Sequence, residues 1–145
     1  MIKILLYKNS REKIGERINT MLQDHFPQLD IIVSDSIQEI SSTLCRPLHE
    51  ISVIILPIAS TFELAAFQNL NPIFEKSRVI LILPDRDVET LAKAIRIKSS
   101  FITYFDNDIK DIALVLEKLM RKSKKGKNNV TIGKNNGPGS QVYYH

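Results

Sequence analysis

Four aspartates have the residue type and position to do chemistry. Asp85 and Asp87 follow the fourth apolar run of the chain, and Asp106 and Asp108 follow the fifth. In sheets of parallel strands, ligands bind at the carboxyl ends of the strands, and carboxylates are the ligands that Mg²⁺ prefers. A metal or phosphoryl site is one interpretation. The other, which we favour, is helix capping, because each pair directly precedes an apolar helical face.

Other chemical motifs in the chain are weak. The segment from Ser10 to Lys13 matches the Ser-x-x-Lys pattern of some acyl-transfer enzymes, but the supporting motifs are absent and a helix start explains it. The three histidines lack metal-ligand spacing: His25, His49 and His145. No glycine-rich loop links a predicted strand to a helix. The sequence therefore predicts no metal, no cofactor and no nucleotide-binding enzyme.

The elements that must position these side chains form a repeated pattern. Five apolar runs, each followed by an amphipathic helical segment, cover residues 2–7, 29–33, 51–56, 78–83 and 101–105. Strands that alternate with helices predict a parallel sheet covered on both faces. Five such units favour a flavodoxin-like α/β sandwich of three layers, with a five-stranded parallel sheet in the order 2-1-3-4-5.

Capping residues predict where the helices start, and the spacing of apolar residues predicts which side chains face the core. The predicted starts are at Asn9 or Ser10 for the first helix, Ser36 with Glu39 for the second, and Ser60 or Thr61 for the third. The residues expected to face the core include Phe62 in the third helix, and Val88, Leu91, Ala92 and Ile95 in the fourth. Thr103 and Tyr104 make the last strand less apolar, which predicts an edge position.

Composition sets outer bounds on the protein. A chain of 145 residues fits one domain with a real core, and its single cysteine excludes an internal disulfide. The apolar runs are too short to span a bilayer. The chain starts directly with a predicted strand and without a secretory pattern, so we expect a cytoplasmic protein.

The net charge of +4 is unevenly distributed. Residues 118–145 carry seven basic side chains and no acid, whereas residues 1–117 carry 13 basic and 16 acidic side chains, a balance of −3. We therefore predict a folded domain over 1–122 and a basic, polar tail or linker over 123–145. The basic run Lys122–Lys127 is typical of a solvated helix end, a tether for nucleic acid or an acidic partner, or a linker.

Three stretches carry a resemblance to a known family. Residues 51–57, 78–84 and 91–102 have the pattern of two buried strands and of a helix that leads into a last strand. In these stretches, and in spacing over residues 2–122, the chain resembles the receiver domain of bacterial two-component response regulators. The resemblance implies the flavodoxin-like fold and a role in phosphorelay signalling.

The positions that the family uses for phosphorylation carry other residues here. Lys8 and Asn9 stand in place of the family's acidic pair, and Pro57 (or Leu56) stands in place of the accepting aspartate. Pro84 (or Leu83) stands in place of the hydroxyl residue, and Phe105 in place of the lysine. Phosphoryl transfer to a carboxylate needs a nucleophilic oxygen and a metal that neutralises charge, and proline and leucine offer no nucleophile. The sequence therefore predicts a pseudo-receiver that is not an enzyme.

The resemblance also implies where such a module meets its partners. Receivers use the fourth helix, fifth strand and fifth helix for dimerisation and output, which here means Ala92, Lys93, Arg96, Thr103, Tyr104 and Lys110. We expect a protein partner, including a second copy, and no membrane. Two alternatives remain: a nucleic-acid-associated regulatory module that uses the basic tail, and a small enzyme or ligand sensor with a pocket at Asp85 and Asp106.

Overall fold

The computed structural model describes residues 2–9 and 13–124, and for residues 122–124 it describes the backbone alone. Five strands and five α-helices alternate along the chain, with one 3₁₀ turn before the fourth strand. Their bounds are β1 Lys3–Tyr7, α1 Ile14–His25, β2 Asp30–Ser34, α2 Ile37–Leu44, β3 Ile51–Pro57, α3 Thr61–Gln68, the 3₁₀ turn Asn71–Phe74, β4 Arg78–Leu83, α4 Val88–Ala94, β5 Phe101–Tyr104 and α5 Ile109–Lys124.

The strands form one parallel sheet in the order β2-β1-β3-β4-β5, which confirms the predicted flavodoxin-like topology. The inner strands β3 and β4 are buried along nearly their whole length. Continuous apolar runs of this kind are what a strand covered on both faces requires. Because all five strands are parallel, every strand–helix turn lies at one edge of the sheet, which we call the carboxyl edge.

The helices divide between the two faces of the sheet. Helices α2, α3 and α4 pack on one face through side chains such as Ile40, Phe67 and Ala94. Helices α1 and α5 pack on the other through side chains such as Ile18 and Leu116. This is the predicted three-layer arrangement, and it leaves the turns of the carboxyl edge between two packed layers.

Two of the predicted helix caps are confirmed. Ser36 and Ser60 each have extended backbone, and each hydroxyl accepts a hydrogen bond from the amide three residues on, at 3.1 Å and 3.4 Å. The predicted cap Asn9 is wrong, because α1 starts at Ile14 after Lys13 with no side-chain cap. The side-chain amide of Asn9 instead donates a hydrogen bond to Glu63 at the carboxyl edge. Ser10 lies outside the described residues.

The predicted core face of α4 is also wrong, except at Leu91. Val88 is 84% exposed and Ile95 41% exposed, and Ala92 is exposed as well. Burial falls instead on Thr90 and Ala94, because the helix is rotated so that small side chains approach the sheet. An apolar stripe at positions 88, 92 and 95 therefore faces away from the core. Phe62 was also expected inside, but it is 82% exposed at the start of α3. The buried side of α3 carries Leu64 and Phe67 instead.

Candidate functional site

The carboxyl edge brings together the strand ends that the sequence singled out. Pro57 is buried at the end of β3, and the next amide, of Ile58, donates to the carbonyl of Ile82 at 2.8 Å. The Phe105 amide donates likewise to the carbonyl of Leu83 at 2.9 Å. Pairing thus continues one residue past the strand ends. The side chains at these strand ends are apolar, with Pro57 buried and Pro84 and Phe105 half-buried.

A buried carboxylate that the sequence analysis missed lies beside these strand ends. Glu63, in the first turn of α3, is only 8% exposed. Its Oε2 accepts hydrogen bonds from the Tyr7 hydroxyl and from Asn9 Nδ2, the latter at 3.0 Å. Its Oε1 accepts from the Ala59 amide at 2.6 Å. We call these four residues the Glu63 cluster. It ties the end of β1 to the turn after β3.

One signal for Glu63 was present in the sequence. Ser60 followed three residues later by Glu63 is a capping-box pattern, in which the glutamate turns back towards the residue before the helix. Here it bonds to the amide of Ala59 and reaches on to Tyr7. The pattern predicts a local contact, but the partner on β1 is 56 residues away in sequence. Local spacing carries no information about such a pair.

Tyr7 is held on two sides in the Glu63 cluster. It is buried, and its ring meets that of Phe67 edge to face, with centroids 5.2 Å apart. Burial raises the pKa of the Tyr7 hydroxyl well above its ordinary value, and the hydrogen bond to the Glu63 carboxylate and the nearby charges of Glu63 and Asp35 raise it further. The hydroxyl therefore keeps its proton and acts as a donor at neutral pH.

This raised pKa predicts a loss of stability at alkaline pH. Above about pH 10 the tyrosine of the unfolded chain loses its proton while folded Tyr7 retains it, so unfolding releases a proton and the free energy of unfolding falls as pH rises. Below that pH the contribution is complete. In urea titrations at a series of pH values, Tyr7→Phe should be less stable at neutral pH but lose stability less steeply above about pH 10. Equal slopes in the two proteins would contradict the assignment.

A second cluster closes the same edge beside β5. Arg86 Nη2 donates to Asp106 Oδ1 at 3.0 Å and to Asn107 Oδ1 at 3.1 Å, and its guanidinium lies 4.0 Å from the centre of the Tyr104 ring. Asn107 Nδ2 donates to Thr103 Oγ1 at 2.5 Å. Burial raises the pKa of Tyr104, Arg86 opposes this, and Asp106 adds to it. These contacts hold the turn after β4 against the turn after β5.

Two of the four aspartate side chains, those of Asp85 and Asp108, accept local hydrogen bonds. Asp85 Oδ1 accepts from the amide of Asp87 at 3.0 Å, and Asp108 Oδ1 accepts from the amide of Lys110 in the first turn of α5 at 2.9 Å. Asp106 binds Arg86. Asp87 occupies the cap position of α4 but makes no side-chain cap. Within residues 2–9 and 13–124, no three His, Cys, Asp or Glu side chains form a group that could hold a metal ion.

Of the residues predicted for the interaction surface, some are exposed and others are buried. Ala92, Arg96 and Lys110 are exposed, and half-buried Lys93 pairs with Glu89 at 3.3 Å. Thr103 and Tyr104 are buried, so including them in the surface was wrong. β5 is an edge strand, as predicted, but its side chains lie beneath the flanking helices and the Arg86 contacts.

The remaining phosphorylation-site positions lie around the same edge. The Lys8 side chain reaches Glu16 on α1, with Nζ and Oε1 3.4 Å apart, and its backbone amide donates to Ser34 at 2.8 Å. Pro84 and Phe105 are half-buried. Of the predicted basic run Lys122–Lys127, residues 125–127 lie outside the described residues, as does the rest of the tail.

Comparison with solved structures identifies the fold. The N-terminal domain of an uncharacterized protein from Wolinella succinogenes matches at 19% identity and a TM-score of 0.68, over 88% of this chain and 100% of that one. The signal receiver domain of an HD domain-containing protein from Pseudomonas fluorescens matches at 19% identity and a TM-score of 0.65, over 86% and 98%. This chain has the receiver-domain fold.

Another solved receiver supports the same conclusion. The receiver domain of a modulated diguanylate cyclase from Desulfovibrio desulfuricans matches at 16% identity and a TM-score of 0.64, over 86% of this chain and 98% of that one. No protein-family model and no curated protein matches the chain. Among the described residues, no helix has the length and apolar character needed to cross a membrane.

Proposed function

We propose that this chain is a receiver-fold signalling module that acts through protein–protein contact and without aspartyl phosphorylation. The observation that carries the proposal is Pro57, buried at the end of the central strand β3 where the family has its accepting aspartate. A proline side chain has no oxygen to attack phosphorus. Lys8 and Asn9 stand where the family has its metal-binding acids, and an ammonium group cannot ligate Mg²⁺.

The Glu63 cluster is a second observation that supports the proposal. Glu63 is the buried carboxylate nearest in sequence to Pro57, and both of its oxygens accept hydrogen bonds from neighbouring groups. Donors bound to a carboxylate stabilise its charge and reduce its readiness to attack. We infer that Glu63 serves to hold the carboxyl edge in one arrangement, because it joins the end of β1 to the turn after β3.

Acetyl phosphate tests the absence of phosphorylation. We expect the intact mass of the full chain to stay unchanged after incubation with acetyl phosphate and Mg²⁺, because no accepting oxygen stands at the end of β3. A receiver that phosphorylates itself from acetyl phosphate serves as the positive control. A stable gain of one phosphoryl group would refute the proposal, and peptide mapping would then show whether Glu63 or another carboxylate had accepted it.

The surface of α4 supports the proposed mode of action. Val88, Ala92 and Ile95 recur at the spacing of one helical face and are exposed. The Glu89–Lys93 ion pair and Arg96 flank them, and Lys110 is exposed at the start of α5. An apolar centre with a charged rim is typical of a protein interface. We propose that this face, which we call the α4 face, binds a second copy of the chain.

A further inference from the structure

The outer side of β2 carries backbone groups that point away from the rest of the sheet. Among the described residues, β2 pairs with β1 alone. The Asp30 amide and the Ser34 carbonyl make backbone hydrogen bonds towards β1, at 3.1 Å and 2.8 Å. Backbone groups alternate in direction along a strand, so the amides and carbonyls of Ile31 and Val33 point outward. Such a row of groups is a template for a further strand.

The side chains of β2 are also only partly covered. Ile31 packs against the layer formed by α1 and α5. Val33 lies on the same face of the sheet as Ile31, because side chains two residues apart share a face, and it is 41% exposed. The outer side of β2 therefore offers both hydrogen-bonding groups and an apolar side chain to an added strand.

The topology favours a strand that follows α5. This helix runs back from the carboxyl edge, so a strand after it would run parallel to the others. Crossovers between parallel strands are right-handed in about 98% of cases. A connection from β5 through α5 to the outer side of β2 passes over the same face, in the same direction, as the crossover from β1 through α1 to β2. It therefore has the same hand, whereas a connection to the outer side of β5 would have the opposite hand.

The tail contains a segment that suits this position. Val130, Thr131 and Ile132 are successive β-branched residues, a type that favours strands. They follow α5 after residues 125–129, a usual length for a loop between a helix and a strand. The six Cα–Cα steps from Lys124 to Val130 span up to about 20 Å. Since α5 packs beside α1, and neighbouring helices lie about 10 Å apart and strands about 4.8 Å apart, this length reaches the outer side of β2.

We propose that this tail segment pairs with the outer side of β2 as a sixth parallel strand of the same chain. Val130 and Ile132 then share the face of Val33, and Ile132 covers its exposed side chain. In this register the Thr131 amide points towards β2 and donates to the Ile31 carbonyl. The pairing holds the start of the tail, and with it the basic run, against the folded domain.

Amide hydrogen exchange of the full chain, followed residue by residue by NMR, tests the proposal. We expect the amides of Ile31 and Val33 to be protected in the wild type, because they donate to the added strand. Thr131→Pro removes a donor to β2 and interrupts the strand, so it should speed the exchange of both amides about tenfold or more. Val142→Pro is the matched control: it places proline in the other apolar segment of the tail and should leave the exchange unchanged.

Ile132→Asp is a second variant, and it keeps every backbone donor. It places a charge against Val33, and we expect the amides of Ile31 and Val33 to exchange about tenfold faster here too. The proposal is overturned if these amides exchange as fast in the wild type as in Thr131→Pro, or if Val142→Pro has the same effect. Protection that falls on tenfold dilution would assign the added strand to a second copy and would also overturn it. The acetyl phosphate experiment above tests the proposed function by a separate readout.

Discussion

Replacing Glu63 with alanine should reduce the free energy of unfolding by about 2–4 kcal/mol, since a buried carboxylate with three donors is lost. The Tyr7 hydroxyl and the Ala59 amide would lose their acceptor in the interior of the carboxyl edge. Glu63→Gln should cost less, because the amide oxygen can still accept from Ala59. Urea unfolding of the full chain at neutral pH measures both effects.

Glu89→Ala is the matched control for this experiment. Glu89 also lies in the first turn of a helix, but it is exposed and its ion pair with half-buried Lys93 lies at the surface. We expect a change of no more than about 0.5 kcal/mol, the usual size for such pairs. If Glu63→Ala cost as little as Glu89→Ala, the Glu63 cluster would not organise the carboxyl edge, and the support that it gives the proposed function would be lost.

Replacing Ile95 with lysine should raise the dissociation constant of the proposed homodimer about tenfold or more, as loss of a central apolar contact does at other interfaces. The new charge would lie on the apolar stripe of the α4 face, between Lys93 and Arg96, and would meet its own copy across a symmetric interface. The helix itself should tolerate the change, because a cation at a helix carboxyl end is favourable. Sedimentation equilibrium over a range of concentrations measures the constant.

Val33→Lys is the control for the dimer experiment. Val33 has the same exposure as Ile95, 41%, but lies on β2 at the other edge of the sheet. We expect its dimer to be as stable as that of the wild type. A wild-type chain that stays monomeric at all concentrations would contradict the homodimer, and equal weakening by both substitutions would contradict the assignment to the α4 face.

The fold followed from the sequence because it depends on local patterns. The apolar runs are long enough to mark buried strands, and the helices between them favour parallel pairing, which leaves only a few possible strand orders. The caps Ser36 and Ser60 were predictable because a cap bonds to an amide three residues away. These features need no knowledge of which elements meet in space.

The rotation of α4 and the Glu63 cluster did not follow from the sequence. The stripe that contains Val88 and Ile95 has the spacing of a core face, yet the small side chains of Thr90 and Ala94 let the other side of the helix approach the sheet. The cluster joins Glu63 to Tyr7 across two neighbouring strands. Both are consequences of tertiary packing, which periodicity along one segment does not record.

The two outer strands of the sheet differ in what they leave open to solvent. β5 is buried at every position, whereas β2 is only partly covered and exposes Val33. An outer strand with free backbone groups can pair with another chain. Both outer strands pair on one side only, and of the two it is β2 whose side chains are less covered. An extended peptide that paired with β2 would lie at the opposite edge of the sheet from the α4 face. One molecule could therefore make a strand contact and a helix contact at the same time.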